Sequence, residues 1–263
     1  MNQPLAFIHP DAKLAHNVVI EPFSTISADV EIGEGTWIGS NVTIMNGARI
    51  GKNCKVYPGA VISGEPQDLK FKGEYSTVQI GDNTTIRECV TINRGTEDKH
   101  KTVVGSNCLI MAYVHIAHDC ILGDNVILAN AVQLAGHIEI GDYVFIGGTS
   151  AVHQFVKIGT HAMIAGGSLV RKDVPPFIKA AREPLSYAGV NSIGLRRRGF
   201  TNEQITEIQE TYRYLFLKGM NVADATRAIE LDIKASADRD EVLFFLKKSD
   251  RGIIKNGSPK SEE

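Results

Sequence analysis

The chain has no excess of basic charge: 28 Lys and Arg stand against 30 Asp and Glu, for a net charge of −2 over 263 residues. It therefore lacks the electrostatic footprint of a nucleic-acid binder. Its first residues, Met-Asn-Gln-Pro-Leu-Ala-Phe-Ile-His-Pro, contain no charged segment followed by an apolar one, so no signal peptide is expected. No apolar run approaches the ~20 residues needed to cross a bilayer. The cysteines at 54, 89, 108 and 120 form no C-x-x-C pair, which points to a reduced, cytosolic chain. Neither a Gly-x-Ser-x-Gly elbow nor a P-loop is present, favouring a reaction without a covalent enzyme intermediate.

What the sequence does have is a six-residue clock. Every sixth residue from Ile8 to Val170 is Ile, Leu or Val, except at Asp68, Glu74 and Asp98. Two residues before each aliphatic there is usually a small or β-branched residue, such as Ala48, Cys54, Ala60, Cys108 or Cys120, and glycine often follows it. Residues two apart share one face of a strand, so both members of the pair point inward. A short strand and a corner, with glycine near the bend, make one side, and three sides close a coil of 18 residues. Coils stacked about 4.8 Å apart satisfy each other's backbone groups. Neither a 3.6-residue helical period nor the period of a lone strand explains such a pattern. The expected fold is mainly β with α: a parallel β-helix of hexapeptide repeats followed by a small helical domain.

Two excursions interrupt the clock, 63–79 and 93–103. The first is read as carrying function and the second, highly charged, as a solvated loop. After Val170, Asp173-Val174-Pro175-Pro176 is expected to end the coils, because two prolines cannot donate to the ladder. Domain limits are set at 1–183 and 184–263. A connector runs to about Gly199. Thr201-Asn202-Glu203-Gln204 then reads as a capping box, opening a helix that buries Ile205, Ile208, Tyr212, Leu215 and Phe216 and ends near Gly219. Asn221 is expected to cap a second helix with Val222, Ala225 and Ile229 inside. A third spans about 238–248, and the tail from Lys255 is expected to be disordered.

An 18-residue coil stacks His118 under Gly136 and Gln154, with His137 and His153 one position away. His118, His137, His153 and Gln154 should line one face within roughly 10 Å, and His115 opens toward the same corner. Histidine titrates near neutrality, so such a face suits a general base, with Asp119 placed to orient His118. Three neutral imidazoles could instead bind zinc, although the solenoid offers no acidic cluster or cysteine pair to complete a site. Cys120 falls in an inward slot and reads as a small buried hydrophobe, not a nucleophile. His9, His16, His100 and His161 are left as structural, and the Arg196-Arg197-Arg198 run, taken alone, as a solvated basic face.

The clock, Gln67-Asp68-Leu69-Lys70, the run from His115 to Cys120, Leu134-Ala135-Gly136-His137, Ala151-Val152-His153-Gln154-Phe155, Gly189-Val190-Asn191 and Leu195-Arg196-Arg197-Arg198-Gly199-Phe200 together resemble the UDP-N-acetylglucosamine 3-O-acyltransferase family. The resemblance covers almost the whole chain. It implies a left-handed β-helix and a homotrimer with active sites between subunits, without metal or cofactor. The implied reaction moves an (R)-3-hydroxyacyl group from acyl carrier protein to the 3-hydroxyl of UDP-N-acetylglucosamine, the first step of lipid A synthesis.

By the same resemblance His118 is the general base, Asp119 supports it, and the Gly136 N–H faces the oxyanion. Gln67, Asp68, Lys70, His115, His137, His153 and Gln154 would position sugar, diphosphate or acyl chain, and Asn191, Arg197 and Arg198 the UDP end. Gly166 matches the acyl-length gauge and predicts a long chain. Ile193 departs from the pattern, since the family has an acidic residue there. Alternatives are a zinc-dependent hydrase resembling the gamma-class carbonic anhydrases, or another hexapeptide acyltransferase, using coenzyme A or transferring to nitrogen. The nitrogen-directed enzyme is expected to carry an extra N-terminal domain, for which a clock starting at Ile8 leaves no room. A non-catalytic trimeric scaffold is the remaining reading.

Overall fold

The computed structural model describes residues 5–257. From Phe7–Ile8 to Leu169–Val170 the chain winds as a left-handed parallel β-helix. Short strands fall in rotation on a first sheet that begins at Phe7–Ile8, a second at Lys13–Leu14 and a third at Val19–Ile20. The sixth-residue aliphatics fill the interior. Ile116, Leu134, Val152 and Val170 stand in register, all buried. Each such side chain contributes about 1.5–3 kcal/mol by leaving water, so truncating one in mid-column, as in Leu134→Ala, costs about 2–5 kcal/mol.

Glycine does lie near the bends, where it serves close approach between coils more than left-handed backbone. The corner residues with φ near +60° are mostly not glycine; His137 (62°) and His161 (56°) are examples. The glycine after the aliphatic is needed for close approach instead: a Cβ on Gly105 would lie 2.3 Å from the Gly123 carbonyl oxygen of the next coil.

Both excursions leave from the same corner. The first joins Val61–Gly64 of the first sheet to Thr77–Ile80 of the second, and the second joins Thr91–Asn93 to Lys101–Val104. Each occupies whole six-residue slots, so the ladder closes across them with inward phase preserved, Ile62 opposite Ile92 and Ile80 opposite Val104.

Pro175-Pro176 does not end the sheet. Ile178–Ala181 adds a parallel strand to the third sheet, pairing Ile164 with Ala180, and Ser186–Val190 returns antiparallel to it. The prolines lie just before the strand, where no ladder donor is required. The connector contains a further short helix, α1 (Ser192–Arg197). The Thr201/Gln204 capping box is present and opens α2 (Asn202–Phe216), and Asn221 caps α3 (Val222–Asp232). Val222 is exposed, against the expectation that it lies inside. The last helix is α4 (Ala237–Lys248). Lys255–Asn256 pairs with Ser186 and Tyr187 as a strand, contrary to the expected disorder from Lys255 onward; the rest of that tail, 258–263, lies outside the described residues. Tyr212 of α2, fully buried, donates its hydroxyl to the Pro176 carbonyl at 2.6 Å and ties the helices to the solenoid.

Candidate active site

The corner between the first and second sheets carries His118, Asp119, Gly136, His137, His153 and Gln154. The 18-residue register places each His118-type position two residues after an inward aliphatic: Ile116, Leu134, Val152. The His118 ring lies directly over Gly136, where a Cβ would come within 2.8 Å of its Nε2. Glycine there is what gives the imidazole room against the next coil.

His118 Nδ1 donates to Asp119 Oδ2 at 2.8 Å, so in the neutral ring Nε2 is the nitrogen left to accept a proton, and it has no hydrogen bond among the described residues. Asp119 is completely buried. Its carboxylate also accepts from the Thr96 N–H at 3.0 Å, the Thr96 hydroxyl at 2.6 Å and the Lys99 N–H at 3.2 Å. Burial alone would push this carboxyl up, but the bonds from His118, Thr96 and Lys99 outweigh it and bring its pKa down to about 2. Asp119 is thus a fixed anion that sets the tautomer of its neighbour.

A second dyad stands beside the first. His137 Nδ1 donates to Asp98 Oδ2 at 2.9 Å, its ring meets His118 edge-on with centroids 5.0 Å apart, and it stacks on Phe155 at 4.5 Å. His118, Asp119 and His137 are, among the described residues, the one group whose ligand atoms could gather on a metal, lying within 4.8 Å of one another. Asp119 spends its oxygens on three other residues and each ring spends Nδ1 on a carboxylate. Only two Nε2 atoms are then left to offer, too few for the three-ligand catalytic zinc site. Two imidazoles, each with a bonded Nδ1 and a carboxylate partner, are an arrangement suited to proton transfer.

Thr96, Asp98 and Lys99 belong to the second excursion, read from sequence as solvated; the structure corrects this. The available signal was topological, since that loop leaves the solenoid at the His118 corner one coil below it. The first excursion leaves from the same corner, and its Glu74 accepts from the Glu97 N–H at 3.1 Å, joining the two loops. Within it Asp68 accepts from the Lys70 N–H at 2.9 Å, while Gln67 and Lys70 are exposed. Among the described residues no hydrogen bond joins Gln67, Asp68 or Lys70 to the histidines.

His115 lies on the outer face of the first sheet, bonded through Nδ1 to Thr91 Oγ1 at 2.7 Å. Burial, helped by the neighbouring His118, lowers its pKa. His153 is exposed and bonds the Gln154 carbonyl at 3.1 Å. Cys120 is buried and its thiol is pushed up to about 12 by that burial, so it is no nucleophile.

Other candidates stand at different corners. Gly166 is not on the histidine column: it follows Met163–Ile164 of the third sheet and lies over Gly148, at the corner leading back to the first sheet. Arg198, itself exposed, lies over the Tyr143 ring at 5.0 Å, near the corner between the second and third sheets, and partial desolvation there lowers its pKa. Arg197 is exposed. Asn191 caps α1 through Oδ1 and donates Nδ2 to the His161 carbonyl at 3.0 Å, so its amide is engaged on both sides. Ile193 is exposed.

A family profile described as "Udp N-acetylglucosamine O-acyltransferase; Domain 2" matches residues 173–254, and one described as bacterial transferase hexapeptide (six repeats) matches 29–64 and 101–136. The acyl-[acyl-carrier-protein]–UDP-N-acetylglucosamine O-acyltransferase of Sulfurihydrogenibium sp. is 54% identical over 256 residues, 97% of this chain and 94% of that protein. Its counterpart in Chlorobaculum parvum is 60% identical over 187 residues, 71% of each chain. The solved UDP-N-acetylglucosamine acyltransferase of Bacteroides fragilis superposes with a TM-score of 0.95 at 48% identity, covering 97% of this chain and all (100%) of that one. Such identity spans the coils and the helices alike, and the chain belongs to the acyl-[acyl-carrier-protein]–UDP-N-acetylglucosamine O-acyltransferase family.

Proposed function

We propose that this chain transfers an (R)-3-hydroxyacyl group from acyl carrier protein to the 3-hydroxyl of UDP-N-acetylglucosamine, in the cytoplasm, as the first step of lipid A synthesis. The observation that carries the mechanism is the His118–Asp119 dyad, with Nε2 lying against Gly136 and unbonded among the described residues. His118 Nε2 takes the proton as the sugar oxygen attacks the thioester carbonyl, and Asp119 stabilises the imidazolium that forms. The two amides flanking Gly136 donate to the carbonyls of Val152 and His118, whereas the Gly136 N–H has no acceptor among the described residues. That free donor suits the oxyanion of the tetrahedral intermediate. Collapse of the intermediate expels the thiolate, which takes the proton held on His118.

His137, held by Asp98, and Gln67, Asp68, Lys70, His115, His153 and Gln154 position the sugar, diphosphate and acyl chain. Arg197 and Arg198 take the diphosphate, which suits guanidinium geometry, and Asn191 holds the α1 backbone beside them. Gly166 leaves room for a long acyl chain. These groups occupy three different corners of one prism, which supports a homotrimer in which one copy's histidine corner meets a neighbour's Arg198 and Gly166 corners. The dyads and the family favour acyl transfer over the zinc-dependent alternative.

The test is transfer from a panel of acyl-carrier thioesters to UDP-N-acetylglucosamine by wild type and His118→Ala. Wild type should transfer, with long acyl chains preferred, and the variant should lose about 10²–10⁴-fold in kcat with unchanged circular dichroism. Full activity in the variant would remove the assigned base, and a preference for about ten carbons would overturn the Gly166 assignment.

A further inference from the structure

The histidine column does not stop at the active site. Lys172 follows Val170 by two residues, as His118 follows Ile116, so the register His118, Gly136, Gln154, Lys172 runs up one corner. Three coil spacings put Lys172 roughly 14 Å above His118. There the column opens into a groove of about 1170 Å³ between the last coil and the Ile254–Gly257 segment. Its floor is apolar, with Leu185 and Ile254 buried in it, and its rim carries Arg171, Lys172, Arg182 and Lys255, all exposed. The one carboxylate among its lining residues, Glu183, is already bonded to Arg171 at 3.4 Å. Cations concentrated in this way, on a chain whose net charge is −2, form a local field that the overall balance does not suggest.

We infer that this groove is the docking surface for the carrier protein, which would present an acidic face to it, resting on the function proposed above. An acidic protein surface matches the cationic rim, and an apolar side chain from it fits the floor. The position also serves delivery. The acyl group travels as a thioester on a flexible arm, and a carrier seated at the groove sends that arm down the same corner to the His118 Nε2. Arg198 lies over Tyr143 at another corner, and Arg197 and Arg198 are left for the nucleotide.

The experiment compares wild type with the double variant Lys172→Glu/Arg182→Glu, using an acyl-carrier donor, a small acyl-pantetheine donor and UDP-N-acetylglucosamine. The variant should raise KM for the acyl-carrier donor about tenfold or more. Its kcat at saturation, its KM for UDP-N-acetylglucosamine and its rate with the small thioester should match wild type, which also controls for folding. Raising ionic strength should increase the wild-type KM for the carrier and affect the variant much less. An unchanged carrier KM would overturn the inference, as would an equal loss with the small donor. So would loss of binding to anionic phosphatidylglycerol vesicles with the carrier KM unmoved, which would assign the groove to a lipid surface. Wild type that transfers nothing from the carrier would instead refute the proposed function itself.

Discussion

His137 and His161 occupy the same slot of the hexapeptide, both with left-handed backbone (φ 62° and 56°) and both stacked on an aromatic ring of an adjacent coil. His137 lies on Phe155 at the first–second corner, and His161 lies on Tyr143 at the second–third corner. The difference is what each meets beyond the ladder. His137 finds Asp98 on an inserted loop and His118 beside it, and its Nδ1 is bonded. His161 is enclosed by Phe177 and Phe200, and its buried Nδ1 has no hydrogen-bond partner among the described residues. Burial, with the charge of Arg198 adding to it, drops the His161 pKa to about 4. One slot thus yields a positioned polar group at one corner and a neutral packing element at the other. The coil supplies the place, and the insertion supplies the chemistry.

Four substitutions test that contrast. The largest effect is expected from Asp119→Ala, which strips the histidine corner of its anion and leaves the Thr96 and Lys99 donors unsatisfied. Transfer should fall by about 10² or more, and stability by about 1–3 kcal/mol, read from steady-state rates and urea denaturation. Gly136→Ala should follow closely. Its Cβ would sit 2.7 Å from His118 Cε1, displacing the ring, and a misplacement of that order costs kcat about 10²-fold; unchanged melting would confirm that only the imidazole moved. Asp98→Asn should be milder, because Asp98 is more than half exposed and solvent screens its pair with His137. An effect of no more than about fivefold is expected, recovered in Asp98→Glu.

The smallest expected effect on catalysis comes from the other corner. His161→Phe should leave transfer nearly unchanged while altering the acid limb of stability. Folded His161 titrates near 4 and its unfolded form near 6.5, so between those values only the unfolded chain takes the proton. Wild-type stability should be whole above pH 6.5 and decline toward pH 4, and the variant should lack that decline in thermal melts. The Asp119 contribution lies lower, present above its ordinary 3.8 and lost as pH falls through about 2, so the two windows separate.

Much of this was legible in the sequence. The aliphatic at every sixth position dictates the coil, because only a three-sided winding turns all of them inward. The stacking of His118 on Gly136 follows from an 18-residue turn by counting alone. The capping box at Thr201 and the Asn221 cap were equally local and equally readable. Asp98 and Thr96 were not, since their role depends on how a charged loop folds back over a corner, and periodicity stops where the loop begins. The strand at Ile178–Ala181 was obscured for a similar reason: prolines forbid ladder donors only at particular positions, and the sequence does not say which positions those are.

The linear order of residues therefore determined the prism, its interior and the vertical registration of its corners, because these follow from a repeat that each coil satisfies with its neighbours. Tertiary structure alone decided which corner histidine gained a carboxylate and which was sealed among aromatic rings. Those contacts join segments with no shared period, His137 with Asp98 and His161 with Phe200, and their geometry comes from the path of loops and helices across the solenoid's surface.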